Sequence, residues 1–204
     1  MTSILTGDIV NSRNIDPNIW MPLLKNTLNS VGTSPKIWEI YRGDSFQIEI
    51  EDPENALLFA FKLKTILKTI KNLDVRIGIG IGSKDSNYRN ITQGNGDAFI
   101  KSGKAFDVLL KKQNFAIVTS DKSIDTILNT SLSLALLTMD NWTVNSAIFV
   151  NEYFNNNNST QKLIAKKLNI SESTASERRK RAGLDEILQL ETLYRILINQ
   201  KIKK

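Results

Sequence analysis

Eight consecutive residues, Val75-Arg76-Ile77-Gly78-Ile79-Gly80-Ile81-Gly82, put valine or isoleucine at every odd position and glycine at three of the four even ones. A period of two is the period of a β-strand, so one face of this segment is apolar and the other is nearly bare backbone. Such a strand belongs at the centre of a sheet, where a second layer or a ligand can approach the bare side closely. The rest of the chain has to supply that sheet and its cover.

Ser3 to Val10 reads as a short apolar strand ending in Gly7-Asp8, and Asn18 to Val31 has helical spacing at Ile19, Leu23, Leu24, Leu28 and Val31. Lys36 to Tyr41 and Ser45 to Ile50 both alternate, and Arg42-Gly43-Asp44 between them supplies turn chemistry, which predicts a β-hairpin with Gly43-Asp44 at its tip. Pro53 to Leu73 is predicted as a helix with Asp52 as N-cap and Pro53 at its first position, burying Ala56, Leu57, Ala60, Phe61, Leu63, Leu67 and Ile70. Gly96-Asp97 opens a further helix to about Lys112, and Phe115 to Thr119 is a buried strand followed by Asp121 and a short helix. The order βαββαβαβ predicts an α+β fold: a mixed sheet with flanking helices, the hairpin beside the first strand. Trp20, Trp38 and Trp142 fall at apolar positions and read as core.

Beyond Asp140 the pattern changes to helix throughout, interrupted only by Asn155-Asn156-Asn157-Asn158-Ser159, so a boundary is placed near residue 140, giving domains 1–140 and 141–204. Charge divides in the same way. Residues 1–140 hold 16 basic and 15 acidic side chains, whereas residues 141–204 hold 11 and 6. A basic C-terminal third suits a polyanion such as nucleic acid, and equally a lysine-rich solvated face.

Within that third, Thr160 to Arg181 has the grammar of a helix-turn-helix. A first helix buries Ile164, Ala165 and Leu168, a turn passes through Asn169, Ile170 plugs the core, and Ser171 caps the second helix. Ser173, Thr174, Ser176 and Glu177 lie where such a helix reads base edges of double-stranded DNA, and Arg178, Arg179, Lys180 and Arg181 suit phosphate or form a solvated face. Trp142 to Phe154 would be the supporting helix. The apolar stripe of Leu184, Ile187, Leu188, Leu190, Leu193, Leu197 and Ile198 packs back on the domain or pairs with a second copy, a homodimer being suited to DNA half-sites.

The chain has no cysteine and no histidine, which removes thiol nucleophiles, zinc sites of Cys/His type and imidazole acid/base chemistry. Any metal must be oxygen-bound, which favours Mg2+ or Mn2+. No stretch approaches the ~20 apolar residues needed to cross a bilayer, and the first residues have no signal-peptide core, so a cytoplasmic protein with no membrane partner is expected. Asp8 at a strand end and Asp44 at a hairpin tip can converge and hold a divalent cation with the Ile9 carbonyl. Asn11, Ser12 and Arg13 then lead to a helix whose N-terminal amides could cradle the phosphates of a nucleoside triphosphate, with Gly43 beside them. An aspartate after glycine is also ordinary turn chemistry.

The runs ILTGDIVNSR, YRGDSFQIEI and VRIGIGIG, in this order and spacing, resemble the SatD family of bacterial proteins and, more distantly, the catalytic palm of class III nucleotidyl cyclases and diguanylate cyclases. The palm resemblance implies a two-metal site on Asp8 and Asp44. It places Asp97 where some cyclases read the base, a position that from the residues reads first as a helix N-cap. It also puts Ile100 and Lys104 where cyclases carry a catalytic asparagine and arginine, so Lys104 can still supply charge to a bound nucleotide while no catalytic residue is assigned. Thr160 through Gly183 resembles the helix-turn-helix of bacterial regulators and sigma factors. Two functions follow: a DNA-binding transcriptional regulator with a nucleotide-sensing, weakly active or inactive palm, or an active nucleotide cyclase with a helix-turn-helix tail.

Overall fold

The computed structural model describes residues 1–85, 88–109, 113–156 and 160–202. It is mixed α/β, with one five-stranded sheet and eight α-helices among the described residues. Strands β1 (Thr2–Val10), β2 (Trp38–Tyr41), β3 (Ser45–Ile50), β4 (Asp74–Gly82) and β5 (Phe115–Val118) run in the spatial order β2-β3-β1-β4-β5. All neighbours are antiparallel except β4 and β5. The hairpin therefore lies beside β1, as its alternation predicts, and the glycine strand lies inside the sheet.

Helix α3 (Asp97–Asp107) covers the bare face of β4. A Cβ on Gly80 would lie 2.1 Å from the Ser102 nitrogen and 2.3 Å from the Ala98 oxygen, so the glycines admit a helix backbone rather than a ligand. The opposite face carries α1 (Pro17–Asn29) and α2 (Ala56–Lys68), which bury Trp20, Leu24, Leu28, Phe61, Leu63 and Leu67 against Leu5, Ile48, Ile77 and Ile79. Ile19, in the spacing read for α1, is instead 54% exposed.

Local readings need correction in four places. Asp52 makes no side-chain cap, and Pro53–Asn55 forms a short 3-10 turn before α2, which ends at Lys68 rather than Leu73. The N-cap of α3 is Gly96, while Asp97 is already helical and accepts from Lys101 Nζ at 2.6 Å, one turn on. That helix ends at Asp107, and Lys112 lies outside the described residues. The helix after Asp121 is not short: α4 (Lys122–Met139) has 18 residues and buries Leu128, Leu132, Leu136 and Met139.

Four more helices follow, α5 (Val144–Asn155), α6 (Gln161–Lys167), α7 (Glu172–Ala182) and α8 (Leu184–Ile202). Of the Asn155–Ser159 interruption, 157–159 lie outside the described residues. The α8 stripe packs back on the rest of the chain: Leu184, Ile187, Leu190, Tyr194 and Ile198 are buried in the same core as the sheet. The Tyr194 hydroxyl donates to the Pro53 carbonyl at 2.6 Å. All three tryptophans are buried. No helix among the described residues is long and apolar enough to cross a membrane.

A buried ionic cluster joins the two ends of this core. Lys64 on α2 is fully buried and donates to Asp74 Oδ1 at 2.7 Å and to Asp140 Oδ1, the residue after α4, at 2.6 Å. Lys68 reaches Asp74 and the Asp140 carbonyl, and Asn114 donates to Asp140 Oδ1 at 2.9 Å.

Candidate functional site

β1 and the β2-β3 hairpin end at the same rim of the sheet, because Asp8 on β1 stands opposite Ser45 on β3. Their ends open on a cleft of about 470 Å³ lined by Asp8, Ile9, Asn11, Ser12, Arg13, Asp44, Arg76 and Asn114 among others. Six of the residues assigned from sequence to metal and phosphate are thus gathered in one place. Gly43 stands at the exposed tip beside Asp44, with φ of 84°, and follows Arg42 at φ of 53°; the two left-handed residues fold the chain back over a three-residue loop. The Ile9 N–H donates to the Asp44 carbonyl at 3.2 Å and ties the hairpin to β1.

The aspartates have partners from within the chain. Asp8 accepts a two-pronged bond from Arg76, Nε to Oδ1 at 2.9 Å and Nη2 to Oδ2 at 2.5 Å. Asp44 Oδ2 accepts from the Ser12 hydroxyl at 2.5 Å. The Asp8 hydrogen bond, opposed by burial and reinforced by the charges of Asp8 and Asp44, raises the Arg76 pKa above its ordinary value. The donor set as built does not fit a two-aspartate divalent centre: one carboxylate is forked by a guanidinium, and the other accepts from a serine hydroxyl.

The phosphate cradle expected at the next helix is also differently built. Residues Ser12–Asn14 form a short 3-10 turn, and α1 starts later, with Pro17 at its first turn and Asp16 accepting from the Asn18 N–H at 2.9 Å. A capping carboxylate and a proline leave that N-terminus unfit for an anion. Asn11 is left-handed and donates to the Asn72 carbonyl at 2.8 Å, which turns Ser12 inward and Arg13 outward. Asp97, Ile100 and Lys104 lie on the exposed side of α3 and are not among the residues lining the cleft. Arg76 and Asn114 were missed from sequence. The available signal was Arg76 itself, the one charged residue in an otherwise glycine-bare strand face.

The second candidate surface is α7. The Thr143 side chain caps α5, Thr160 caps α6, and Ser171 Oγ accepts from the Thr174 N–H at 3.1 Å to start α7. Asn169, at φ of 52°, turns the chain between α6 and α7, and buried Ile164, Ala165 and Ala175 pack the pair together. Trp142 Nε1 donates to the Ala182 carbonyl at 2.8 Å and locks α7 to the start of α5. Ser173, Ser176, Glu177, Lys180 and Arg181 are exposed. Their spacing of three and four residues places them along one open stripe. Thr174 is half-buried, its hydroxyl 2.9 Å from Ser171 Oγ, and Arg178 is partly buried. Arg179 is directed elsewhere: it pairs with Asp185 and lies 5.5 Å over the Tyr153 ring.

A mixed α/β protein with a charged cleft at one sheet rim and a basic helix near its C-terminus is thereby defined. The chain belongs to the SatD family, whose model matches residues 3–196. No curated protein matches it.

Proposed function

We propose that this protein is a DNA-binding transcriptional regulator in which residues 141–204 form a helix-turn-helix unit and residues 1–140 a palm-like unit that senses a nucleotide. The observation that carries the reading is the open stripe of α7, Ser173, Ser176, Glu177, Lys180 and Arg181, offered by a helix that packs on α5, α6 and α8. Serine and glutamate near the start of a recognition helix meet base edges, while the lysine and arginine farther along meet phosphates. The cleft supports the sensing role through Arg13 and Arg76, whose guanidinium groups suit phosphate oxygens.

Fluorescence anisotropy with a duplex of mixed sequence tests the DNA reading. Lys180→Ala with Arg181→Ala should weaken binding to every duplex and reduce the slope of log affinity against log salt by roughly 2, about 0.9 per lost phosphate contact. Binding with the wild-type affinity and slope would remove α7 from the DNA.

A cyclase reading is favoured only by the gathering of Asp8 and Asp44 at one cleft. Exposed Ile100 and Lys104, off that cleft, supply no oriented donor to a developing phosphorane charge. Incubation with manganese and labelled ATP or GTP should therefore yield no cyclic or dinucleotide product. Turnover abolished by Asp44→Asn would establish an enzyme instead.

A further inference from the structure

We infer that the Arg76 guanidinium takes the place of a divalent cation in the cleft between Asp8 and Asp44, so that the site receives a phosphate-bearing ligand without magnesium or manganese. For the ligand this rests on the nucleotide reading above; for the cation it stands on the geometry alone.

Asp8 and Arg76 are directly opposite in the antiparallel register of β1 and β4. Cross-strand neighbours stand about 5 Å apart, so the backbone itself delivers the guanidinium to the carboxylate and no flexible loop has to close. The fork engages both Asp8 oxygens. The guanidinium carbon also lies 6.0 Å over the Phe106 ring of α3, a cation–π contact. Asp44 is satisfied separately by the buried Ser12 hydroxyl. A divalent ion bridging the two aspartates would have to displace the fork and the Ser12 hydroxyl or crowd in beside them, and in either case it would stand next to the Arg76 guanidinium. Like charge at that distance opposes it, and only partial exposure of the Arg76 side chain, 38%, softens the effect.

Charge balance points the same way. Arg13 and Arg76 offset Asp8 and Asp44 one for one, and the Arg76 N–H groups not spent on Asp8 remain donors at the wall of the cleft. A phosphate therefore meets no net negative charge there and finds the remaining guanidinium donors with no ion to import. Arginine rather than lysine suits the task, because its planar fork can bind one anion and keep donors for a second.

Two measurements on the full chain test this. The first is Mn2+ binding, read by the electron paramagnetic resonance of the free ion, for wild type, Arg76→Gln, Arg76→Lys and the double variant Arg76→Gln/Asp44→Asn. Wild type and Arg76→Lys should bind Mn2+ only weakly at the cleft. Arg76→Gln should gain a site at least roughly tenfold tighter, the order expected when a unit charge leaves a partly exposed contact, and Asp44→Asn should abolish it. The second is calorimetric binding of inorganic pyrophosphate and of ATP to wild type in EDTA and in magnesium, where equal affinities are expected. Wild type that binds Mn2+ as tightly as Arg76→Gln, or that takes pyrophosphate only with magnesium, overturns the inference. Should neither anion bind wild type in either buffer, the nucleotide reading falls, while the Mn2+ comparison still decides what Arg76 does. If Arg76→Gln does not fold, tight Mn2+ binding to wild type alone, lost in Asp44→Asn, is the overturning result.

Discussion

Glu49 on β3 is 3% exposed, and burial by itself would push its carboxyl up in pKa. Hydrogen bonds from Lys84, Thr2 and Tyr88 outweigh burial and hold it below the ordinary glutamate value. The same contacts, with burial first, raise the Tyr88 phenol. Because the folded pKa of Glu49 is depressed, its contribution to stability is fully present above the unfolded value near 4.5 and is lost as pH falls through the folded one. Glu49→Gln should therefore cost about 1–3 kcal/mol at pH 7, and chemical denaturation of the two proteins should converge as the pH is lowered below 4 or so. A constant difference down to strong acid would show that Glu49 is not held as a carboxylate. The same scale marks the limit of the sequence. Asp8 and Asp44 were legible because turn chemistry advertises them, whereas the Asp8–Arg76 pair depends on a strand register between residues 68 positions apart. No local pattern sets that register, so the ion pair that Arg76 brings to the cleft could not be read from the sequence.

Elements were legible wherever period and punctuation agreed. Alternation in Ser45–Ile50 and Val75–Gly82 gave two central strands, and Ser171 with Asn169 gave the α6–α7 turn, because each rests on backbone geometry that few other residues satisfy. The length of α4 was not legible for a physical reason: from Thr126 to Met139 it carries no charge, and exposed Ile127, Leu134 and Leu137 blur the contrast between its faces. The bare face of β4 was read as open to a layer or a ligand, and only packing could decide. Since α3 backbone fills it, Gly80→Ala should be among the most destabilising small substitutions in the chain, costing more than about 3 kcal/mol or preventing folding. Gly43→Ala meets nothing within 4 Å and suffers only its left-handed backbone, so about 1 kcal/mol is expected. Thermal denaturation of the two variants side by side reads this contrast. Equal losses would place α3 farther from β4 than its backbone contacts indicate.

At the scale of the molecule, the sequence boundary at residue 140 separates two proposed tasks, yet the packing runs straight across it. Leu63 and Ile77 share one continuous apolar cluster with Phe149, Ile187 and Tyr194. Lys64 stands at its seam, unexposed, neutralised by Asp74 before the boundary and Asp140 at it. Removing one partner of a buried ionic cluster strands the others in a low-dielectric setting, whereas replacing all of them with neutral groups need not. Lys64→Met should thus destabilise by about 3–5 kcal/mol, and adding Asp140→Asn to it, which leaves Lys68 paired with Asp74, should restore a good part of the loss. In wild type the shared core predicts a single unfolding transition, with sheet and C-terminal helices lost together. Calorimetry with fluorescence of Trp20 and Trp142 can follow the two regions separately, through tryptophan variants that leave one reporter at a time. Coincident midpoints for both reporters, lowered together by Lys64→Met, are the expected result, and they would mean that a ligand stabilising the cleft is felt at α7 through the common core. Two separated midpoints, with Lys64→Met moving only the sheet, would make the regions thermodynamically independent and leave the cleft no such route to α7.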